Sequence, residues 1–476
     1  MQARGVLESL YLLRNMMAPV NKLPPEIISC VARSVLSHHA IHARKIVPLT
    51  HVCRYWRDSI ISTPENWTLI SNQREGLAAL SLERAKAAPL TVRLDVHKLV
   101  STNDPRFSDL LLSHARFIRF LSISGFSMIK ELTQALPDFP KSMPNLQSLV
   151  LASEGQTNSA QPSDPFDFSA HTLRNLSLRY IPFYPSFLHL RTLTEFTLVD
   201  NYFNLHLDVI LSFLEESNLL ESANFWIRFV EPSLRRSRRG APVGNGLRRL
   251  LISSFDTLDC RALISSIALQ RGAVLKIFYH GGNARLADLL SGVSTKHLPN
   301  LSSPTFMEYR SNSPYNIRLV GPGGSFLLEG HFLLEDAFKE FHLFTLDSIQ
   351  ELHLEYRAAS IPTEFHPFSF PSLEVLVIDH AVSVSEVLFT LLQNPTSSSL
   401  KTLALLNCAI NEGLMDELAQ FTSDRANTTL ASLRRIVIIG PIMEHPSAAS
   451  IERLRERIPV VEVMKGSELP ADLKRV

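Results

Sequence analysis

A chain of 476 residues exceeds what one hydrophobic core supports, so it requires two or more domains or a repeat array. Lys plus Arg number 47 against 46 Asp plus Glu; this net +1 gives no electrostatic case for nucleic acid or an anionic membrane as partner. Cys30, Cys53, Cys260 and Cys408 lie far apart with no C-x-x-C spacing, which argues against a disulfide framework or zinc knuckle and suits a reducing compartment.

Residues 1–20 read as an N-terminal helical extension. Its stretch "VLESLYLLRNMM" is interrupted by Glu8 and Arg14 and lacks a following cleavage site, so it does not read as a secretory signal. No apolar run approaches the ~20 residues of a membrane span. The expected location is cytoplasmic or nuclear, with the sequons at Asn66, Asn175, Asn300 and Asn427 unused.

"NKLPPEIISC" (21–30) predicts a helix start: proline suits the first turn and Glu26 suits the positive end of the dipole. Ile27, Ile28 and Val31 fall on one side, with Leu23 and Pro24 just ahead. After a polar-to-apolar connection, a second helix is predicted from Pro48. Leu49, Val52, Cys53, Trp56 and Ile60 form its continuous apolar stripe. Ser-Thr-Pro ends it, and Trp67 returns as a large anchor. A unit this small needs a neighbour or a partner to cover its apolar surface.

In order and spacing, "LPPEII…V", "L-x-x-V-C-x-x-W" and "TPENW" resemble the F-box, the adaptor-binding module of F-box proteins. The stretch "LSLERAKAAPLTVRLDV" is similar to the segment that follows it in fungal F-box/leucine-rich-repeat proteins, so the resemblance spans residues 21–96. The long "SVLSHHAIHARKIVP" connection departs from the pattern. The resemblance implies that Leu23 and Pro24 sit at the adaptor contact, and that Ile27, Ile28 and Val31 divide between contact and internal packing. It also aligns Leu49, Val52, Cys53 and Trp56 with the second helix and Trp67 with the closing tryptophan. Leu23, Pro24, Ile27, Ile28, Val31, Leu49, Trp56 and Trp67 are therefore the candidate adaptor-binding set, with Val52 and Cys53 expected in the core.

The pattern L-x-x-L-x-L, allowing other apolar residues, then recurs nine times: 118–123, 146–151, 173–178, 193–198, 247–252, 349–354, 373–378, 400–405 and 433–438. Starts commonly lie 24–28 residues apart, the spacing of degenerate leucine-rich repeats. Segments such as "DVILSFLEES" and "VSEVLFTLLQ" would pack as helices behind the strands. A doubly wound fold would call for a glycine-rich phosphate turn after an early strand, and none is found. "NIRLVGPGGSFLLEG" predicts a β-hairpin, an irregular or antiparallel insertion near 299–346. "SEGQTNSAQPSDPFD" and "EPSLRRSRRGAPVGNG" read as loops and 466–476 as a mobile tail.

The expected fold is α/β: a small helical F-box at 21–70, then a leucine-rich-repeat solenoid over 71–465 with parallel strands concave and helices convex. No motif of catalysis, metal or cofactor binding stands out. His38, His39 and His42 read as a solvated connector, "GPGGS" (321–325) as a turn and Arg235–Arg239 as a solvated basic loop. The resemblance implies a non-enzymatic substrate receptor of an SCF-type cullin–RING ubiquitin ligase. It would dock on a Skp-type adaptor, and through that on cullin and RING subunits, and would hold a target protein. The alternative is an interaction scaffold whose F-box-like helices only cap the repeats.

Because strand side chains alternate faces, the outward positions are readable from each repeat. They include Asn175, Ser177, Arg179, Glu195, Thr197, Arg249, Ser253, Glu351, His353, Glu355 and Asp379. Arg179, Glu195, Arg249, Glu351, His353, Glu355 and Asp379 are the candidate target-binding residues. Glu351, Glu355 and Asp379 form an acidic stripe suited to a basic segment, beside outward apolar Val150, Val375, Val377 and Val437.

Overall fold

Leucine spacing becomes strand register. In the computed structural model all nine L-x-x-L-x-L stretches carry a β-strand, and their apolar positions are buried except half-buried Leu433. The structure describes residues 17–38, 46–72, 75–102, 105–127, 143–154, 172–199, 206–226, 246–290, 298–310, 315–332, 346–355, 370–380, 399–408, 412–424, 433–440 and 447–465, with a few isolated positions between. Outside them lie most of the 1–20 extension, His39 and His42, nearly all of both long loops, the predicted helix at 384–393 and the tail. Among the described residues the fold is mixed α/β, with seventeen mostly parallel strands and eleven α-helices. No helix among them is long and apolar enough to cross a membrane. The chain divides into two compact units, Met1–Phe203 and Asn204–Val476.

Unit one opens with α1 (Pro25–His38), α2 (Ile46–Leu49) and α3 (Arg54–Ser62), closed by a 3₁₀ turn at Pro64–Trp67. The single helix expected from Pro48 is broken. Thr50 N–H still bonds back into α2, but Cys53 is extended (φ −159°, ψ 175°) and α3 starts anew at Arg54. Then come β1 (Leu69–Ser71), α4 (Glu75–Ala85), β2 (Leu90–Asp95), α5 (Val96–Thr102) and α6 (Pro105–Ser113). β3 (Ile118–Phe126), β4 (Ser148–Ser153), β5 (Asn175–Arg179) and β6 (Glu195–Val199) complete the unit. Each strand from β1 to β6 pairs in parallel with the next. Leu149, Leu176 and Phe196 line up as one buried row, and Leu151, Leu178 and Leu198 as a second.

Unit two contains α7 (Leu207–Glu216), over the predicted "DVILSFLEES", then β7 (Ser222–Trp226), β8 (Arg249–Ser254), α8 (Thr257–Ser266), β9 (Ala273–Ala284) and α9 (Leu286–Leu290). Asp256 caps α8 by accepting from Leu258 N–H at 2.8 Å. β10 (Phe306–Arg310), β11 (Tyr315–Gly321) and β12 (Gly324–Phe332) form an antiparallel meander. The expected hairpin is its second half. β12 lies parallel to β9, and β10 lies parallel to β13 (Glu351–Glu355). β14 (Val375–Asp379), β15 (Thr402–Leu406), α10 (Glu412–Asp424), β16 (Arg435–Gly440), α11 (Ala448–Arg455) and β17 (Val460–Lys465) follow. β13 to β17 pair in parallel, in chain order.

One turn recurs in both units. β5, β14 and β15 are each followed by a residue with positive φ: Tyr180 (56°), His380 (56°) and Asn407 (49°). Each of these donates its N–H to the last or next-to-last carbonyl stretch of a neighbouring strand, to Val199, Leu406 and Ile439 respectively.

"GPGGS" is a tight turn under steric compulsion. Gly324 has φ +123°, and a Cβ there would lie 2.1 Å from the Ala273 carbonyl oxygen. Asn300, itself buried, donates from Nδ2 to the Ala273 and Ser325 carbonyls at 2.6 and 2.9 Å, pinning β9 to β12. Gly324→Ala is expected to lower unfolding free energy by at least about 1–3 kcal/mol from backbone strain alone. Gly282→Ala, with nothing within 4 Å of the added carbon, should stay within about 0.5 kcal/mol of the parent. Urea denaturation of the two variants makes the comparison.

Candidate functional site

The helical module of unit one separates its apolar residues into two sets. Ile28, Ala32, Ile46, Trp56, Ile60 and Trp67 are buried and form its interior. Ser29 Oγ donates to Asn66 Oδ1 at 2.9 Å, and Asn66 Nδ2 and Trp67 Nε1 donate to the Ile60 carbonyl at 3.3 and 2.9 Å. This buried network locks α1 and α3 onto the closing turn.

The other set faces outward: Ile27 is 45% exposed, Val31 38% and Val52 52%, with Val20 and Tyr55 exposed as well. Pro24 is also exposed, whereas Leu23 and Leu49 are half-buried. Tyr55 Oη donates to the Leu23 carbonyl at 2.7 Å, tying α3 to the segment ahead of α1. Four expectations change: Trp56 and Trp67, in the candidate adaptor-binding set, are buried in the interior, while Ile28 turns inward and Val52 outward. Ile28 does not share the side of Ile27 and Val31, because adjacent helical residues lie ~100° apart and Ile28 pairs with Ala32 on the inward stripe. Val52 is not core, because the helix break at Thr50–Cys53 turns it outward.

The candidate target-facing residues divide between the units. In unit one Arg179 and Glu195 are exposed at the end of β5 and the start of β6, while Asn175, Ser177 and Thr197 are half-buried. In unit two Arg249 is exposed at the start of β8, and Ser253 is buried.

Glu351, His353, Glu355 and Asp379 share one face, with His353 aligned to Val377 and Glu355 to Asp379. They do not form a free acidic stripe. Glu351 is only 6% exposed, and His353 Nε2 lies 2.8 Å from its carboxylate. Arg310 Nε donates to Glu308 at 2.8 Å and lies 3.6 Å from Glu355, and Arg318 lies 3.8 Å from Glu308. The hydrogen bond and charge of Glu308, helped by Glu355 and Asp379, raise the Arg310 pKa above its ordinary value against the opposing effect of burial. Asp379 accepts from Asn407 Nδ2 at 3.0 Å.

Glu308, Arg310 and Arg318 were not among the sequence candidates. The alternation of "FMEYR", with Met307 and Tyr309 inward, is the signal that places Glu308 and Arg310 on this face, and Arg318 joins them through the pairing of β11 with β10. Val377 and Val437, expected outward and accessible, are instead buried with Ala404, Leu406 and Ile439 in an apolar cluster; Val375 is partly buried against it, and Val150 is half-buried. Strands covered on both faces read as unbroken apolar runs, as β15 and β16 do.

A third grouping had no motif to announce it. The His280 ring stacks on Trp226 at 5.6 Å and leans on Phe255 at 5.3 Å, with Ser253 Oγ and His280 Nε2 2.8 Å apart. Trp226 and Phe255 are exposed. No group of three His, Cys, Asp or Glu among the described residues is placed to hold a metal.

Behind this grouping, burial pushes the Cys260 thiol up to about 12; the Asp259 and Asp256 charges add to this and a hydrogen bond with Ser254 opposes it. A raised thiol pKa favours the folded state below about pH 9, and that contribution is lost as pH rises towards about 12. At pH 8, iodoacetamide should label exposed Cys30 readily, while buried Cys260 and Cys408 react only after unfolding. Mass-spectrometric mapping of the alkylated peptides reads this directly.

No protein-family model matches the chain, and no curated protein matches it.

Proposed function

We propose that this chain is the substrate-receptor subunit of an SCF-type cullin–RING ubiquitin ligase, an F-box/leucine-rich-repeat protein. The observation that carries the reading is the outward apolar set of the helical module. Pro24, Ile27, Val31, Val52 and Tyr55 stay exposed while Ile28, Trp56 and Trp67 close the interior behind them. Exposed apolar residues grouped on one small module mark a protein-binding surface. In this reading they meet the Skp-type adaptor, and Leu23 and Leu49 border the contact.

The in-register parallel strands and the recurring positive-φ turn support a leucine-rich solenoid as the target-holding part. Arg179, Glu195 and Arg249 are the exposed candidates for target contact; Glu351, His353, Glu355 and Asp379 hold their own neighbours as well. The chain performs no covalent step. It raises the effective concentration of target lysines beside a ubiquitin thioester carried by other subunits.

A specific observation favours a second reading, a scaffold whose helices only cap the repeats. The Arg84 guanidinium of α4 lies 4.3 Å from the Trp67 ring centroid, and the turn holding Trp67 leads directly into β1, the first parallel strand. Adaptor binding separates the two readings.

The full chain should bind a purified Skp-type adaptor in a pull-down. Ile27→Asp with Val31→Asp should abolish capture without loss of helix content, since both side chains are exposed and interface anchors commonly contribute about 2 kcal/mol or more each. Undiminished capture by the folded double variant would remove this face from the interface. Failure of the parent chain to bind would favour the cap.

A further inference from the structure

Unit one has a cleft that the adaptor and target surfaces do not use. It has a volume of about 170 Å³ and is lined by Pro89, Arg116, Phe117, Arg119, Asn145 and Gln147, with Ala87 at its edge. The lining comes from the approach to β2, the turn before β3 and its second residue, and the approach to β4. These segments are fixed by the strand ladder itself: Gln147 N–H donates to the Arg119 carbonyl at 2.8 Å, and Asn145 Nδ2 donates to the Arg116 carbonyl at 2.7 Å.

The charge of the cleft is one-sided. Among the described residues no carboxylate lines it, and neither Arg116 nor Arg119 takes part in an ion pair. Elsewhere the chain neutralises arginines that share a face with acids: Arg310 and Arg318 meet Glu308, and Arg435 meets Glu462. Here two exposed arginines line one hollow, and the other polar side chains of its lining are the amides of Asn145 and Gln147. The Arg116 guanidinium lies 4.7 Å from the Phe117 ring centroid, which steadies one fork of the pair.

We infer that this cleft is a binding site for a phosphate monoester. Two guanidinium forks match the oxygens of a doubly charged tetrahedral anion with charge-assisted hydrogen bonds, which a single carboxylate would use only in part. Phe117, Pro89 and Ala87 give the cleft an apolar wall, which suits the carbon skeleton that carries the phosphate. The phosphate can arrive on a protein side chain or on a free metabolite; the recognition chemistry is the same. The inference does not depend on adaptor docking.

The test is titration calorimetry on the full chain at low salt with inorganic phosphate, phenyl phosphate, acetyl-phosphoserine amide and glycerol 3-phosphate. Phenyl phosphate should bind more tightly than inorganic phosphate, and binding should weaken as sodium chloride is added. Arg116→Gln and Arg119→Gln should each weaken binding by about tenfold or more. Arg248→Gln, an exposed arginine of unit two, should leave it within about twofold. Circular dichroism establishes that the variants remain folded. Tighter binding of acetyl-phosphoserine amide than of glycerol 3-phosphate assigns the source to a phosphorylated protein segment, and the reverse order assigns it to a metabolite. Absence of binding by all four compounds, or equal binding by the Arg116→Gln, Arg119→Gln double variant, overturns the inference.

Discussion

Register is the constraint on which unit two depends. From β7 to β17 one apolar row runs through Ala223, Leu250, Leu275, Phe326, Leu319, Met307, Leu352, Leu376, Leu403, Ile436 and Val461, each aligned with its strand neighbours. Side chains in a strand alternate faces, so a slip of one residue would turn a strand's inward set outward. Burial of each leucine-sized side chain contributes about 1.5–3 kcal/mol, and a slipped strand would forfeit several at once. The meander is the demanding case. It reverses chain direction at β11 and visits β10, β11 and β12 in the opposite spatial sense, yet the row passes through it unbroken. An odd number of antiparallel strands restores the parallel direction, so β9 and β13 both find parallel neighbours at its borders.

That constraint explains what the sequence makes readable. Inward positions have one acceptable chemistry and a fixed period, so Leu149, Leu176, Leu352, Leu376 and Leu403 announce their strands. Strands whose inward places hold other residues, such as Ala223 and Phe225 of β7 or Met307 and Tyr309 of β10, escape a leucine pattern although their geometry is the same. Outward positions have no single required chemistry. Glu351 and Glu355 look like a free acidic surface until β10 and β11 bring Glu308, Arg310 and Arg318 alongside. Their pairing comes from a connection whose path no local motif encodes.

The helical module shows a related limit. Ile27 and Ile28 are adjacent and chemically identical, and a helix of either orientation satisfies the local pattern. What orients α1 is the polar contact of Ser29 with Asn66, 37 residues away, which the Trp67 indole N–H shares through the Ile60 carbonyl. Once Ser29 faces the closing turn, Ile28 and Ala32 must go inward and Ile27 and Val31 outward. A hydrogen-bonded polar residue inside a small core is costly to leave unpaired, so it fixes orientation more sharply than apolar contacts of interchangeable size. The break at Thr50–Cys53 is of the same kind. The periodic stripe from Leu49 to Ile60 permits one helix, but it does not require one.

Near-neutral net charge hides an uneven distribution. On the β10–β14 face the charged groups are partly desolvated, and there a lone arginine would carry a desolvation cost that its carboxylate partners offset. Arg310 therefore contributes to holding the sheet together, and recruiting it to a ligand would mean separating it from Glu308 and Glu355. Arg116 and Arg119 stand at the other limit. They are exposed, so solvation makes them inexpensive to leave unpaired, and no internal bond has to break before an anion can approach. The guanidiniums already paired within a sheet serve the fold, and the unpaired ones that share a hollow are free to serve a ligand. By that criterion the basic edge of unit one, where exposed Arg116 and Arg119 line a hollow with Pro89 and Phe117, is better prepared for an anionic group than the acidic face of unit two is for a basic one.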